Sequence, residues 1–361
     1  MTLILYELVC ANFLGIVEAF EAPQHVTCKM QIPVFLALCI TTTWAVDLRT
    51  DFSITFRYPD SHAHWPRKLL VDIASSDAFI YDQVRFPKLS STRAVNTSES
   101  KTFNNLDIPV SITYNSPFAD EKTDMIVGYV GEDNLKFDGK DLRTNLVFAT
   151  LSFADPGKGI TGEGFAGRIG LAKESGKTEL RDDLFKAAGK KLVCLLYSTE
   201  LDGSNSSTRV TIGTNPLQDR TPHLQAKSLK NEFRLWSVNV TRFTIGGNIL
   251  GKSVQAYLST TTNFLTVPSN YLQLIVRQTR ARYDEKASLY VVDCATKNKL
   301  FFYINGKEFP IEAQSYIAKR GNVCYLKVRE GTLVLGSPFF VNLGVCLDFE
   351  KDEFSIYRLK P

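Results

Sequence analysis

Residues 69–82, LLVDIASSDAFIYD, run from an apolar segment into a single carboxylate, Asp72, then through a turn of small residues into a second apolar segment. Branched and aromatic residues on either side of a small-residue turn predict strand, turn, strand. A lone aspartate there needs a partner for acid–base chemistry; without one it reads as a carboxylate hydrogen-bonded to turn amides. A faint echo lies at 254–268, VQAYLSTTTNFLTVP, where the turn opens on Ser259, 187 residues after Asp72. Each copy is followed by an apolar-apolar-Gly element, RIGLA (168–172) after the first and LVLGSPFF (333–340) after the second. The double occurrence predicts a duplicated β lobe.

The rest of the chain agrees with a mainly β interior. The 361 residues are 44% hydrophobic and rich in Phe (24) and Tyr (14), enough for one large or two medium domains. Short apolar runs such as FSITFRY, KLLVDI, VSITY, TNLVFATLSF, KLVCLLYS, RVTIG, FTIGG and LFFYING are separated by Gly, Pro, Asn and Asp. Two stretches read as helices. TELRDDLFKAAGKK (178–191) has acid at its start and base at its end, and PSNYLQLIVRQTR (268–280) sets Leu272, Ile275 and Val276 on one face behind a proline. A net charge of +4 spread along the chain makes no footprint for nucleic acid.

At these residues the sequence resembles the pepsin-like aspartic proteases, across nearly all of 46–361. VDIASS and YLSTTTN stand at the family's two Asp-Thr/Ser-Gly loops, and VSITYNSP (110–117) resembles its flap, with Tyr114 at the flap tyrosine. EGFAGRIGLA is similar to its first apolar-apolar-Gly segment, and the C-terminal run from LVLGSPFF resembles its closing hairpin. The resemblance implies a bilobal acid-protease fold of two related β-barrel-like lobes with a few short helices, here 46–217 and 218–361 after a leader in 1–45. It implies a peptide cleft between the lobes lined by Phe79, Tyr114, Thr260, Thr262 and Phe264. It further implies a Cys294–Cys324 disulfide.

The departures bear on activity. In the family two aspartates share one proton, because like charges that close cannot both ionise, and together they activate water and protonate the scissile carbonyl. The matching residues are Asp72 and Ser259, and a serine hydroxyl does not titrate near working pH. Ile73 replaces the hydroxyl residue that helps tie the loops together, while Ala74 and Thr261 replace glycines. Ser337 stands where aspartate is frequent, and Phe79 replaces the tryptophan that hydrogen-bonds the flap tyrosine. These changes imply a pseudoprotease whose cleft binds a peptide or protein without cleaving it. The alternatives are an aspartic-type endopeptidase of weak or atypical activity, and a structural secreted protein without a specific ligand.

The N-terminal region suggests secretion. MQIPVFLALCITTTWAVDL (30–48) follows Lys29 and reads as a signal peptide cleaved near Ala45. By the same resemblance, residues 46–71 are about what the first lobe requires ahead of Asp72, so no basic prosegment is expected. Of seven cysteines, Cys10, Cys28 and Cys39 fall in the leader, leaving four suited to an oxidising compartment. The resemblance makes the strands of Cys194 and Cys346 neighbours, with a second disulfide or two buried thiols both open. Sequons at Asn96, Asn205 and Asn239 are candidate glycosylation sites. The expected product is a monomer in the extracellular space or the lumen of the secretory or lysosomal pathway, with no membrane attachment once the leader is removed.

Other chemistries find little support. GEGFAG (162–167) matches a dinucleotide-binding pattern but is not followed by a helix signal. His62 and His64 could present two imidazoles from one strand face to a metal, yet no third ligand is evident. No metal and no cofactor is expected.

Overall fold

Strand and turn chemistry dominate the computed structural model, which describes residues 52–114, 124–152, 164–174, 176–199 and 206–359. The first half forms β1 (Ser53–Phe56), β2 (Arg67–Asp72), β3 (Phe79–Tyr81), β4 (Asn104–Tyr114), β5 (Asp124–Phe137), β6 (Lys140–Ser152) and β7 (Gly167–Gly170). They make one sheet in the order β1-β2-β7-β3-β6-β5-β4. The turn between β5 and β6 is Asp138-Gly139, both at positive φ (46° and 80°), the backbone that a two-residue hairpin of matching twist requires. Five of the six β2 residues are buried, as suits a strand covered on both faces.

Next in the chain come β8 (Leu192–Thr199), β9 (Ser206–Ile212) and β10 (Leu224–Lys227). The second half continues with β11 (Ser237–Ile245), β12 (Asn248–Leu250), β13 (Val254–Leu258), β14 (Leu265–Val267), β15 (Arg282–Asp284) and β16 (Leu289–Val292). It then adds β17 (Leu300–Ile304), β18 (Lys307–Ile311), β19 (Ile317–Arg320), β20 (Val323–Leu326), β21 (Val328–Glu330) and β22 (Val334–Leu335). The chain closes with the hairpin β23 (Leu343–Asp348) and β24 (Glu353–Arg358). A second large sheet runs β18-β17-β11-β13-β22-β14-β21 with β12 beside β11, and β15-β16-β20-β19 form a smaller one. The order β10-β24-β23-β8-β9 builds a sheet from both halves of the chain. The architecture is mainly β and bilobal, of the pepsin-like kind.

The two predicted helices form as α1 (Leu180–Ala188) and α2 (Ser269–Thr279). Helix α1 carries Asp182 and Asp183 in its first turn and ends on Gly189 in the left-handed conformation, φ 70°. Helix α2 buries Tyr271, Leu272, Leu274 and Ile275. Two single turns, α3 (Ala313–Tyr316) and α4 (Ser337–Phe340), complete the α-helices among the described residues.

The internal echo in the sequence corresponds to a repeated crossing. Strand β2 lies parallel to β7 with Val71 opposite Ile169 and Asp72 opposite Gly170; β13 lies parallel to β22 with Leu258 opposite Leu335. In each lobe the loop that carries the key residue passes over the glycine of the apolar-apolar-Gly element. A methyl group on Gly170 would fall 2.5 Å from the Ser76 carbonyl carbon, and one on Gly336 would press into the carbonyls of Phe264 and Thr262. The recurrence of glycine is therefore a demand of close packing. Around these crossings Leu69, Val71, Ile73 and Ile169 of the first lobe, and Leu258, Leu265 and Leu335 of the second, are fully buried. Each such side chain contributes roughly 1.5–3 kcal/mol relative to exposure.

Candidate functional site

Asp72 closes β2 and is 3% exposed. Its Oδ1 accepts the Ala74 N–H at 2.8 Å, a local turn bond available to any aspartate at this place. Its Oδ2 accepts from Arg168 Nη1 at 2.8 Å, and this ion pair is nearly closed to solvent. Arg168 lies on β7 opposite Leu70, two residues before Gly170, the partner of Asp72, so its side chain shares the face from which Asp72 projects. Both carboxylate oxygens are thus engaged by donors of the chain itself.

The second loop meets the first through Thr260. Its hydroxyl donates to the Val71 carbonyl at 2.7 Å and accepts the Ile73 N–H at 3.3 Å, bracketing Asp72 from across the lobes. The side chain of Ile73 is apolar and fully buried, so the tie has one hydroxyl. Ser259, the residue before Thr260, is 0% exposed; its backbone N–H donates to Leu335 and its hydroxyl bonds the Thr262 hydroxyl at 2.9 Å. The Ser337 N–H donates to the Thr262 carbonyl at 2.8 Å, while the Ser337 hydroxyl is buried without a partner among the described residues. Asp72, Ser259, Thr260, Thr262 and Ser337 are therefore brought to one junction.

The remaining cleft residues are placed differently from one another. Phe79 is fully buried in a cluster with Tyr81, Val110, Ile112, Ile126 and Val147, below the β4–β5 strands instead of open to a groove. Phe264 is half-buried, and the Arg329 guanidinium covers its ring at 3.8 Å. Burial pulls the pKa of Arg329 down from its ordinary value. The Tyr114 backbone ends β4 opposite Asp124, and its side chain lies outside the described residues.

Two arginines were not anticipated from the sequence. Arg168 stands inside GFAGRIGLA, and the only available signal was a full charge in a run whose other members are small or apolar. Four consecutive buried positions in β7 make that charge a buried one, which requires a partner. Nothing in the sequence near Arg329 pointed to Phe264, because the parallel pairing of β14 with β21 alone brings them together.

The structure joins Cys294 to Cys324 and Cys194 to Cys346. The latter two are direct partners across β8 and β23. Asn96 is half-buried and donates its side-chain N–H to Glu99, and Asn239 is half-buried in β11 between β13 and β17; Asn205 lies outside the described residues, as do residues 1–45, where the leader and the Ala45 cleavage site are expected. His62 and His64 sit in a turn, not on a strand, with the His62 ring stacked on Trp65 at 5.0 Å. Among the described residues no three His, Cys, Asp or Glu side chains gather as a metal site. The described end of the GEGFAG match runs into β7, a strand. No described helix is long and apolar enough to cross a membrane.

Comparison with known proteins places this geometry. Human gastricsin is 27% identical over 277 residues, 73% of this chain and 68% of that protein. Aspartic protease 1 of Caenorhabditis elegans is 25% identical over 297 residues, 75% and 70% of the two chains. Pregnancy-associated glycoprotein 1 of Sus scrofa is 27% identical over 282 residues, 74% and 69%. The family model for eukaryotic aspartyl protease matches residues 66–358, from ahead of Asp72 through the closing hairpin. The chain belongs to the eukaryotic aspartyl protease family.

Proposed function

We propose that this protein is a secreted pepsin-like pseudoprotease, a monomer whose interlobe cleft takes a peptide or protein segment without hydrolysing it. The observation that carries the reading is the Asp72–Arg168 ion pair at a junction where the second loop offers Ser259. Peptide hydrolysis by two carboxylates needs one of them ionised to activate water and the other protonated to donate to the carbonyl. Here one carboxylate is committed to a guanidinium and the other is replaced by a hydroxyl that bonds Thr262. Secretion is supported by the two disulfides, which suit an oxidising compartment.

A second reading, weak aspartic-type endopeptidase activity, draws on family membership and on the retained Asp72. One assay separates the two: incubation of the purified protein with a broad peptide library from about pH 3 to 7, beside Asp72→Ala, with binding of a statine-type inhibitor measured in parallel. The pseudoprotease reading expects no cleavage at any pH and retained binding. Cleavage that disappears in Asp72→Ala establishes the endopeptidase instead.

A further inference from the structure

Positive charge that reads as spread along the sequence gathers in the second lobe. Residues 269–330 hold eleven Lys and Arg against six Asp and Glu, a surplus of five in a chain whose net charge is +4. Arg277, Arg280, Arg282, Lys286 and Arg320 are exposed and form no ion pair among the described residues. Arg277 lies in the last turn of α2, where a cation complements the helix dipole, but Arg282, Lys286 and Arg320 stand outside the helix. The helix itself stops on Arg280 in the left-handed conformation, φ 55°, a position where glycine is usual.

The sheet β15-β16-β20-β19 sets two of these arginines on one face. In its register Arg282 stands opposite Val291, Val291 opposite Tyr325 and Tyr325 opposite Ala318, so the four side chains share a face. Two residues along, Arg320 and Val323 form a pair on that same face. The alternate residues Val292, Cys324 and Leu326 are buried in the hydrophobic core, which turns the first face outward. Val291, Tyr325 and Ala318 are half-buried there and Val323 is exposed. The carboxylate on this face, Asp284, accepts the Lys286 and Ala287 N–H groups of its own turn. An apolar strip with one aromatic ring thus runs between arginines on the two edge strands, about 14 Å apart across three strand spacings. The Cys294–Cys324 bridge ties β20 to the segment that follows β16 and holds the arrangement together.

Guanidinium groups match the oxygens of sulfates and carboxylates with paired N–H donors. Set along the edges of an open face, they suit a long, linear polyanion better than a small ion, and Tyr325 offers an apolar surface to a sugar ring. We propose that the outer face of this sheet, with the arginines at the end of α2, binds a sulfated polysaccharide, its sulfates on Arg282 and Arg320 and a sugar ring over Tyr325. The choice of a sulfated polysaccharide over nucleic acid rests on the secreted reading above. The site is independent of whether the cleft hydrolyses peptides.

The test uses the whole purified protein and heparin as probe, read by calorimetry over a range of salt. Hyaluronan, which carries carboxylates without sulfates, and single-stranded DNA are the comparison polyanions. The expected result is saturable heparin binding that weakens as salt rises, with hyaluronan and DNA each about tenfold weaker or worse. Arg282→Gln with Arg320→Gln, changes at exposed positions, weakens heparin by about tenfold or more and makes the salt dependence shallower. Lys186→Gln with Lys190→Gln removes the same charge from the exposed end of α1 in the first lobe and leaves the affinity within about twofold. No saturation up to about 100 μM heparin overturns the proposal, as does an equal loss in the two double variants, which would reduce the binding to net charge. DNA bound as tightly as heparin also overturns it, in favour of a nucleic-acid surface.

Discussion

Arg168 and Asp72, 96 residues apart in sequence, form an ion pair of 2.8 Å in which the guanidinium is 10% exposed and the carboxylate 4%. The pair exists because β7 runs parallel to β2 and sets Arg168 on the same face, one step behind the aspartate. Under the proposed pseudoprotease reading, Asp72 is half of a structural contact.

Removing one partner leaves the other charge buried alone. Arg168→Leu is expected to lower stability by about 3–5 kcal/mol, while Arg168→Leu with Asp72→Leu recovers most of that loss, because an apolar pair no longer carries a desolvated charge. Urea unfolding midpoints of the single and double variants give the coupling directly.

Under the proposed reading, restoring the chemistry requires changes in both lobes, on β7 and on the second loop. Arg168→Ile with Ser259→Asp provides a second carboxylate and frees Asp72 to share a proton with it, so peptide cleavage is expected at acidic pH. Neither single change is expected to suffice. Cleavage by the Ser259→Asp single variant at the rate of the double would show that Arg168 does not restrain Asp72.

Thr260 bonds both the carbonyl before Asp72 and the N–H after it. Thr260→Val keeps the shape and strands two buried backbone groups, an expected loss of about 1–3 kcal/mol. Thr260→Ser keeps the hydroxyl and is expected to cost less. Thermal unfolding of both variants distinguishes the lost hydrogen bonds from a lost methyl.

The two disulfides close loops of different length, with a sequence separation of 30 for Cys294–Cys324 and of 152 for Cys194–Cys346. On loop-closure entropy alone they stabilise by about 4 and about 5 kcal/mol respectively. Cys194→Ala with Cys346→Ala is expected to lower the unfolding midpoint at least as far as Cys294→Ala with Cys324→Ala. Mass mapping of peptides under non-reducing conditions checks both pairings.

Tyr129 donates to Asp82 at 3.1 Å, and burial, with the Asp82 charge second, pushes its pKa up from 10.0 to about 12. Below about pH 10 both folded and unfolded chains hold the proton and the contribution to stability is complete. As pH rises from about 10 to about 12 the unfolded chain loses its proton first, so stability falls through that window. Tyr129→Phe is expected to remove one phenolate step near pH 12 from the absorbance titration and to flatten this fall.

Much of the fold could be read directly from residue order. The short apolar runs broken by Gly, Pro, Asn and Asp become strands, and the helices at 180–188 and 269–279 announce themselves through terminal charge, a leading proline and an apolar face. The echo between 69–82 and 254–268, with a glycine element after each, exposes the duplication because the same close crossing imposes the same residue sizes twice. That Ser259 opens the turn of the second copy is likewise a matter of residue identity.

What surrounds Asp72 was decided only in three dimensions. Whether an arginine inside an apolar strand meets solvent, a helix end or a carboxylate depends on which strand lies beside it, and the β2–β7 register alone makes that neighbour Asp72. The same holds for Thr260 on Val71 and Ile73 and for Arg329 on Phe264. Sequence by itself determined the β class and the repeated lobe, since these follow from local pattern and composition, while the family resemblance is what sets Ser259 against the second loop's aspartate. Tertiary structure decided the partner of Asp72, because a buried charge takes the counter-charge that chain topology brings within a few ångströms, and topology is not a local property.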